Sequence, residues 1–101
     1  MSTATYTHQD VNDVLITAIE GGIGYWACNV RCFAGEDRVS YQDPNWDRVT
    51  GEDCEDPETT FSFTRDDLLV AMHQIALDEN FDVEDADAAV QIAAFQEIIY
   101  G

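Results

Sequence analysis

Apolar residues recur at helical spacing in three segments of the chain. Within residues 9–20 they return every three or four positions, which is the period of one face of an α-helix. The second segment spans roughly 64–77, with Thr64 as the N-cap candidate, and the third, rich in alanine, spans roughly 84–100. Gly21 and Gly22 are expected to end the first helix, because glycine adopts the left-handed cap conformation without steric cost. The pattern therefore predicts three helices.

Polar and apolar residues alternate in three other segments, which is typical of strands with one buried face. The first is GYWACNVRCF at 24–33, in which the even-numbered residues from Trp26 onward are expected to face the core. The others are RVSYQ at 38–42 and TTFSFT at 59–64. Proline, asparagine, glycine and acids dominate residues 42–58, which predicts a long connection there.

The order α-β-β-β-α-α predicts a single α+β domain over residues 1–101. In this fold class, a small three-stranded antiparallel sheet packs with about three helices. A chain of this length suits one domain with one modest core. The two periods place the following residues in that core: Leu15, Trp26, Cys28, Val30, Phe61, Phe63, Leu69, Met72, Val90 and Ile98.

Acids far outnumber bases, with 21 Asp and Glu against four Arg and no Lys, for a net charge of −17. Hydrophobic residues make up 46% and aromatic residues 11%, so the chain can form a core, unlike a disordered acidic tail. Binding to nucleic acid or to an anionic membrane needs Lys and Arg, and the charge argues against both. It favours a basic partner, bound cations or an environment that selects acidity.

The three cysteines, Cys28, Cys32 and Cys54, are odd in number and have no disulfide-framework spacing. Residues four apart on a strand lie about 13 Å apart, so neither a disulfide nor one zinc ion is expected to join Cys28 and Cys32. Both are expected to act as small buried hydrophobes. With no signal-like start and no apolar run of membrane-span length, the sequence predicts a reduced, cytoplasmic protein.

Catalytic and metal-binding patterns are weak. His8 lies in the polar start and His73 beside an apolar stripe, so neither has the nucleophile and orienting group that catalysis needs. Residues 78–89 begin like a calcium loop but carry Val83 and Ala89 where that loop needs glycine and glutamate. The acids there suit the start of a helix. We therefore expect no enzymatic activity, no metal and no cofactor.

The segments EGGIGYWA at 20–27 and DADAAVQIAAFQEIIYG at 85–101 resemble parts of small, acidic, uncharacterised proteins of phages, plasmids and their bacterial hosts. The resemblance covers these two segments, about a quarter of the chain, and implies a mobile-element origin and the cytoplasm of a host cell. By the weaker analogy of charge and size, such proteins include anti-CRISPR and anti-restriction proteins that imitate DNA. The glycines of EGGIGYWA lack the following helix and the basic residue of a phosphate loop. We interpret Gly21 and Gly22 as a helix cap and Gly24 as a site of close packing.

These features lead to the hypothesis of a DNA-mimicking inhibitor of a host defence machine. Duplex DNA carries one negative charge per roughly 1.7 Å of axis, counting both strands. Acids three or four residues apart on a helix lie about 5–6 Å apart, which is near the spacing of successive phosphates. The partner is expected to be a CRISPR effector, most simply a type I surveillance complex, or a restriction enzyme, bound through its basic DNA groove. Two groups of acids are expected to bind it. We name them the 52–58 cluster (Glu52, Asp53, Glu55, Asp56 and Glu58) and the 82–87 cluster (Asp82, Glu84, Asp85 and Asp87).

Two other hypotheses explain the charge differently. In a salt-adapted protein, acids form a solvated surface and report nothing about partners. In an acidic adaptor domain, a partner protein is bound through Tyr25, Trp46 or Tyr100. The sequence leaves open which acidic face binds and whether the chain is a monomer or a homodimer.

Overall fold

The computed structural model describes residues 6–35, 38–39 and 42–100. In this part of the chain, three α-helices and one antiparallel sheet form an α+β fold, as the sequence predicts. The helices are α1 (His8–Thr17), α2 (Arg65–Gln74) and α3 (Val83–Phe95). The strands are β1 (Ala27–Ala34), β2 (Arg38–Val39), β3 (Arg48–Asp53) and β4 (Thr60–Thr64).

The sheet has one strand more than the sequence predicts. Its order is β2-β1-β3-β4, so β3 lies inside it and pairs with both β1 and β4. The prediction of an uninterrupted connection over 42–58 is therefore wrong for 48–53. The inward positions of β3 are Val49, Gly51 and Asp53, and only the first is hydrophobic. Gly51 is buried because its strand partner Phe61 covers it: a Cβ built at Gly51 would lie 2.5 Å from the ring of Phe61.

Each α-helix begins with a capping box, in which the N-cap side chain and the third helical side chain satisfy each other's backbone amides. The box at Thr64 is the one that the sequence predicts. Each box contains an acid at its third helical position, so local helix geometry accounts for part of the acidity. The pairs are Thr7 with Asp10, Thr64 with Asp67, and Asp82 with Asp85.

The glycine pair that follows α1 does not act as a left-handed cap. The helix continues as a π-helix over Ala18–Gly22, and among the described glycines only Gly35 has a positive φ. Gly22 is buried against the start of α3, where an added Cβ would lie 3.2 Å from the carbonyl oxygen of Val83. Gly24 has open space around it, so close packing belongs to Gly22.

The core lies between the helices and one face of the sheet, and most of its predicted members are there. Trp26, Leu15 and Met72 are fully buried, and Val30 and Leu69 pack at its edge. The remaining buried members of the predicted set are Phe61, Phe63 and Val90. Cys28 and Ile98 are exposed, which corrects the prediction for these two.

Trp46 is also fully buried, although it lies in the connection between β2 and β3. The guanidinium of Arg65 lies 4.5 Å from the centre of its ring. Arg65 also donates to the main-chain oxygens of Trp46, His8 and Pro44. It therefore joins this connection to the starts of α1 and α2. Because Trp46 is inside the fold, it cannot serve as a surface contact of an adaptor domain.

The cysteines differ most from the prediction. Asn29 has a φ of 54° and lies at a bulge between Cys28 and Arg31, which moves Cys28 to the exposed face of β1. There Cys28 forms a disulfide with Cys54, with the two Cα atoms 5.4 Å apart. The prediction of reduced, buried cysteines holds only for Cys32, a free thiol whose pKa burial raises to about 12. Within the described residues, no helix is long and apolar enough to cross a membrane.

Candidate functional site

The 52–58 cluster lies at the end of β3 and in the turn that leads to β4. Backbone hydrogen bonds join Asp53 to Thr59, Asp56 to Asp53 and Thr59 to Asp56, with N···O distances of 2.8–3.2 Å. The disulfide attaches Cys54 to β1, and the amide of Cys54 donates to the carbonyl oxygen of Trp26 at 2.7 Å. The turn is therefore fixed both covalently and by hydrogen bonds.

The carboxylates of this cluster have different environments. Glu55 and Glu58 are exposed, and Asp56 is exposed while accepting from the hydroxyl of Thr59 at 2.8 Å. Glu52 is half-buried and accepts from the side-chain amide of Asn29 at 2.5 Å. Asp53 is buried: one oxygen accepts from the amide of Glu55 at 2.8 Å and the other from the hydroxyl of Tyr100. Four of the five acids can therefore meet a partner.

The 82–87 cluster lies in the first turns of α3. Asp82 is the N-cap, and Glu84 and Asp85 follow in the first turn, where the positive end of the helix dipole favours acids. This confirms the interpretation of these acids as a helix start. All three are exposed. Asp82 and Asp85 are three residues apart, a spacing at which Cβ atoms on a helix lie about 5–6 Å apart.

Asp87, the fourth member of that cluster, has a structural role. One oxygen accepts from Nε1 of Trp26 at 2.7 Å and from Nε2 of Gln91 at 2.9 Å. The other accepts from the hydroxyl of Tyr25 at 2.6 Å. Burial and this hydrogen bond raise the pKa of Tyr25 to about 12. With three donors already bound, Asp87 is poorly placed to stand in for a phosphate.

The C-terminal segment connects the two clusters. The fully buried Gln91 accepts from the amides of Ile99 and Tyr100 at 2.8 and 2.7 Å, and donates to the carbonyl oxygen of Tyr100 at 2.8 Å. The ring of Tyr100 stacks on Trp26 with centroids 5.7 Å apart. The hydrogen bond to Asp53, followed by burial and by the charges of nearby acids, raises the pKa of Tyr100 to about 12. Asp53 and Asp87 are thus held by one shared set of side chains.

Sequence reasoning missed Gln91, which organises this set. The available signal was a single amide in the apolar stripe of an alanine-rich helix, since a buried amide must find hydrogen-bond partners. Apart from Asp87 on the same helix, its partners could not be read from the pattern, because Ile99 and Tyr100 lie in the segment that follows the helix.

A groove of about 550 Å³ opens beside the 82–87 cluster. Its exposed apolar side chains are Tyr25, Val83 and Ile98, at 52%, 40% and 55% exposure. Glu84 and Asp87 supply its carboxylates, and no arginine is among its lining residues. We name it the Tyr25–Ile98 groove. It brings together EGGIGYWA and the C-terminal segment, which are the two stretches that carry the resemblance described above.

No group of three or more His, Cys, Asp or Glu side chains in the described ranges is placed to share a metal ion. No protein-family model matches the chain, and comparisons with curated proteins and with solved structures find no significant match.

Proposed function

We propose that the protein inhibits a DNA-binding defence machine by occupying its basic DNA groove. The partner would be a type I CRISPR surveillance complex, another CRISPR effector or a restriction enzyme. Its Lys and Arg residues would pair with carboxylates where they normally pair with phosphates. The protein itself would bind no nucleic acid and no membrane, because its net charge is −17.

The observation that carries this proposal is the placement of seven acids on two connected turns whose backbones are held in place. Four of them lie in the turn that the disulfide holds, and three lie in a capped first turn of helix. Trp26, Tyr100 and Gln91 join the supports of the two turns. An inhibitor whose charged turns are already folded avoids the entropy cost of ordering their backbone when it binds.

Two of the four arginines support the same interpretation. Arg65 donates to main-chain oxygens and stacks on Trp46, and the guanidinium of Arg48 lies 4.6 Å from the centre of the ring of Phe33. These two arginines stabilise the fold through aromatic rings and carbonyl oxygens. The carboxylates of Glu52 and Asp56 accept instead from a neutral amide and a hydroxyl, which leaves their negative charge available to a partner.

The test is competition with DNA for a purified type I surveillance complex and for a restriction endonuclease. Glu52→Gln, Glu55→Gln, Asp56→Asn and Glu58→Gln combined should abolish inhibition at low salt and leave the fold intact. The matched control neutralises four exposed acids elsewhere: Glu20→Gln, Asp66→Asn, Glu79→Gln and Glu97→Gln. Equal loss in both variants would indicate dependence on total charge alone, and simultaneous binding of protein and DNA to the partner would contradict mimicry.

The compartment belongs to the same proposal. Inhibition of such a machine takes place in the cytoplasm of a host cell, where thiols are usually kept reduced. A Cys28→Ser, Cys54→Ser variant should therefore still inhibit, because the backbone hydrogen bonds of the 52–58 turn do not need the disulfide. Loss of inhibition in this variant while it stays folded would argue for an oxidising compartment.

The adaptor hypothesis keeps support from one observation. Tyr25 and Tyr100, two of its three predicted contacts, both line the Tyr25–Ile98 groove. A protein that binds its partner through this groove but does not compete with DNA would be an adaptor. The competition assay described above distinguishes the two functions.

A further inference from the structure

We infer that the Tyr25–Ile98 groove is the docking site for the basic partner, and that it receives an apolar side chain flanked by Lys or Arg. This inference rests on the proposed function, because it assigns the binding face of the same inhibitor. It adds an apolar contact that carboxylate pairing alone does not provide.

The first argument is apolar exposure. Five large apolar side chains of the described residues are at least 40% exposed, and three of them, Tyr25, Val83 and Ile98, share this groove. Exposed apolar patches rimmed by polar groups are typical of interaction sites, and tyrosine is over-represented among the residues that contribute most to binding.

The second argument is the absence of side chains at the groove's glycines. Gly21 and Gly22 approach Val83 so closely that a Cβ at Gly22 would lie 3.3 Å from Cγ1 of Val83. A larger residue at Gly21 would project into the groove, because this position is exposed and a Cβ there would make only ordinary contact, 3.4 Å from Val83. The space therefore depends on glycine.

The third argument is charge. The exposed Glu84 lines the groove, and the exposed Asp82 and Asp85 belong to the same helix start, whereas the groove's other carboxylate, Asp87, is already bound by three donors. An occupant with Lys or Arg next to its apolar side chain satisfies both the carboxylates and the apolar walls. A second copy of the chain would bring another charge of −17 to the interface, and like charges across an interface are unfavourable.

A second groove, of about 420 Å³, also has acids at its mouth, including Asp10 and Asp78. Among its apolar lining residues Val14 and Met72 are fully buried and Tyr6 and Phe81 are half-buried, so none is exposed as Tyr25 and Ile98 are. The two grooves thus differ in the property on which the inference depends.

The experiment compares two short synthetic peptides of equal charge, one alternating arginine with leucine and the other alternating arginine with glycine. Binding to the isotope-labelled protein is followed by amide chemical shifts. The leucine peptide should bind about five- to tenfold tighter, the effect of burying part of an aliphatic side chain, with the largest shifts around Tyr25, Val83 and Ile98.

Two variants should remove this preference. Ile98→Ser removes an apolar wall, and Gly21→Leu fills the groove. Val70→Ser is the matched control, because Val70 is 54% exposed but lies on α2, outside this groove. Equal affinity of the parent for both peptides, shifts centred elsewhere, or equal effects of Ile98→Ser and Val70→Ser would each overturn the inference.

These outcomes separate the inference from the proposed function. DNA competition without peptide preference would overturn the docking site and leave the mimic intact. Peptide preference without DNA competition would support the groove and its ligand chemistry, and would overturn the mimic.

Discussion

The 52–58 and 82–87 clusters look alike in sequence but are built by different physics. The first is a turn between strands, held by a disulfide and by hydrogen bonds to side-chain and backbone groups. The second is a helix start, held by its own capping box and dipole. In each, one acid turns inward: Asp53 toward Tyr100 and Asp87 toward Trp26. Within each cluster, therefore, one acid stabilises the fold while the others are exposed. The disulfide-held turn and the capped helix start should lose their structure under different conditions.

The largest difference between the clusters should follow from removal of the disulfide. Cys28→Ser with Cys54→Ser opens a covalent loop with a sequence separation of 26 and should lower the free energy of unfolding by about 3 kcal/mol. Urea unfolding measures this loss. Amide exchange should rise in the 52–58 turn and stay unchanged at the start of α3. Equal loosening of both clusters would show that the disulfide also supports the start of α3, through the side chains that join the two turns.

The corresponding change in the 82–87 cluster is the substitution of Asp87. Asp87→Ala leaves Nε1 of Trp26 and the hydroxyl of Tyr25 without their acceptor, and leaves Nε2 of Gln91 with only the carbonyl oxygen of Tyr100. We expect a loss of about 2–3 kcal/mol in the free energy of unfolding, since donors buried without a partner are costly.

Glu84→Ala is the matched control for Asp87→Ala, because Glu84 lies on the same helix but is exposed. Its effect should be within about 0.5 kcal/mol. If both variants lose the same stability, the role assigned to Asp87 is wrong.

The helices could be predicted from the sequence, but strand β3 could not. The helices were predictable because caps and apolar periods are local, as at Thr64 and Asp67. Strand β3 was missed because its inward positions include Gly51 and Asp53, which break the apolar alternation. Gly51 is accommodated by Phe61 on the neighbouring strand, which the alternation within β3 cannot show.

Which acids stabilise the fold and which stay exposed could not be predicted from the sequence either. Asp87 accepts from Trp26, which lies 61 positions away, and Asp53 accepts from Tyr100, which lies 47 positions away. The disulfide depends on the bulge at Asn29, which moves Cys28 to the other face of the strand. Local patterns could locate the acids but could not show which of them turn inward.

High pH tests the segment that connects the clusters. The pKa values of Tyr25 and Tyr100 are raised to about 12 in the folded protein, above the value of about 10 expected when unfolded. Their neutral forms therefore stabilise the fold fully below about pH 10, and this contribution is lost as pH rises through about 12. Spectrophotometric titration should show late tyrosinate formation that becomes normal in urea.

Tyr100→Phe separates the two tyrosines in that titration. The variant should lose one late step and be less stable than the parent at neutral pH, by less than Asp87→Ala, because Tyr100 donates only one side-chain hydrogen bond. A Tyr100→Phe protein with unchanged stability would show that the bond to Asp53 does not contribute to joining the clusters.

The smallest effects should come from the exposed acids, and they also test salt adaptation. Glu55→Gln and Glu84→Gln each remove one exposed charge, so each should change the free energy of unfolding by less than about 0.5 kcal/mol. Glu55→Gln should be slightly stabilising at low salt, because it relieves repulsion in a chain of net charge −17. Glu84→Gln also loses a favourable interaction with the dipole of α3, so it should be closer to neutral. At about 1 M salt, where the screening length is about 3 Å, both should be neutral. The parent should stay folded when salt is withdrawn, since its caps, disulfide and core do not depend on counterions. Thermal unfolding of the parent and the two variants, monitored by circular dichroism across a salt series, measures these changes in stability. Unfolding of the parent at low ionic strength, rescued by either neutralising variant, would favour the salt-adapted protein over the inhibitor.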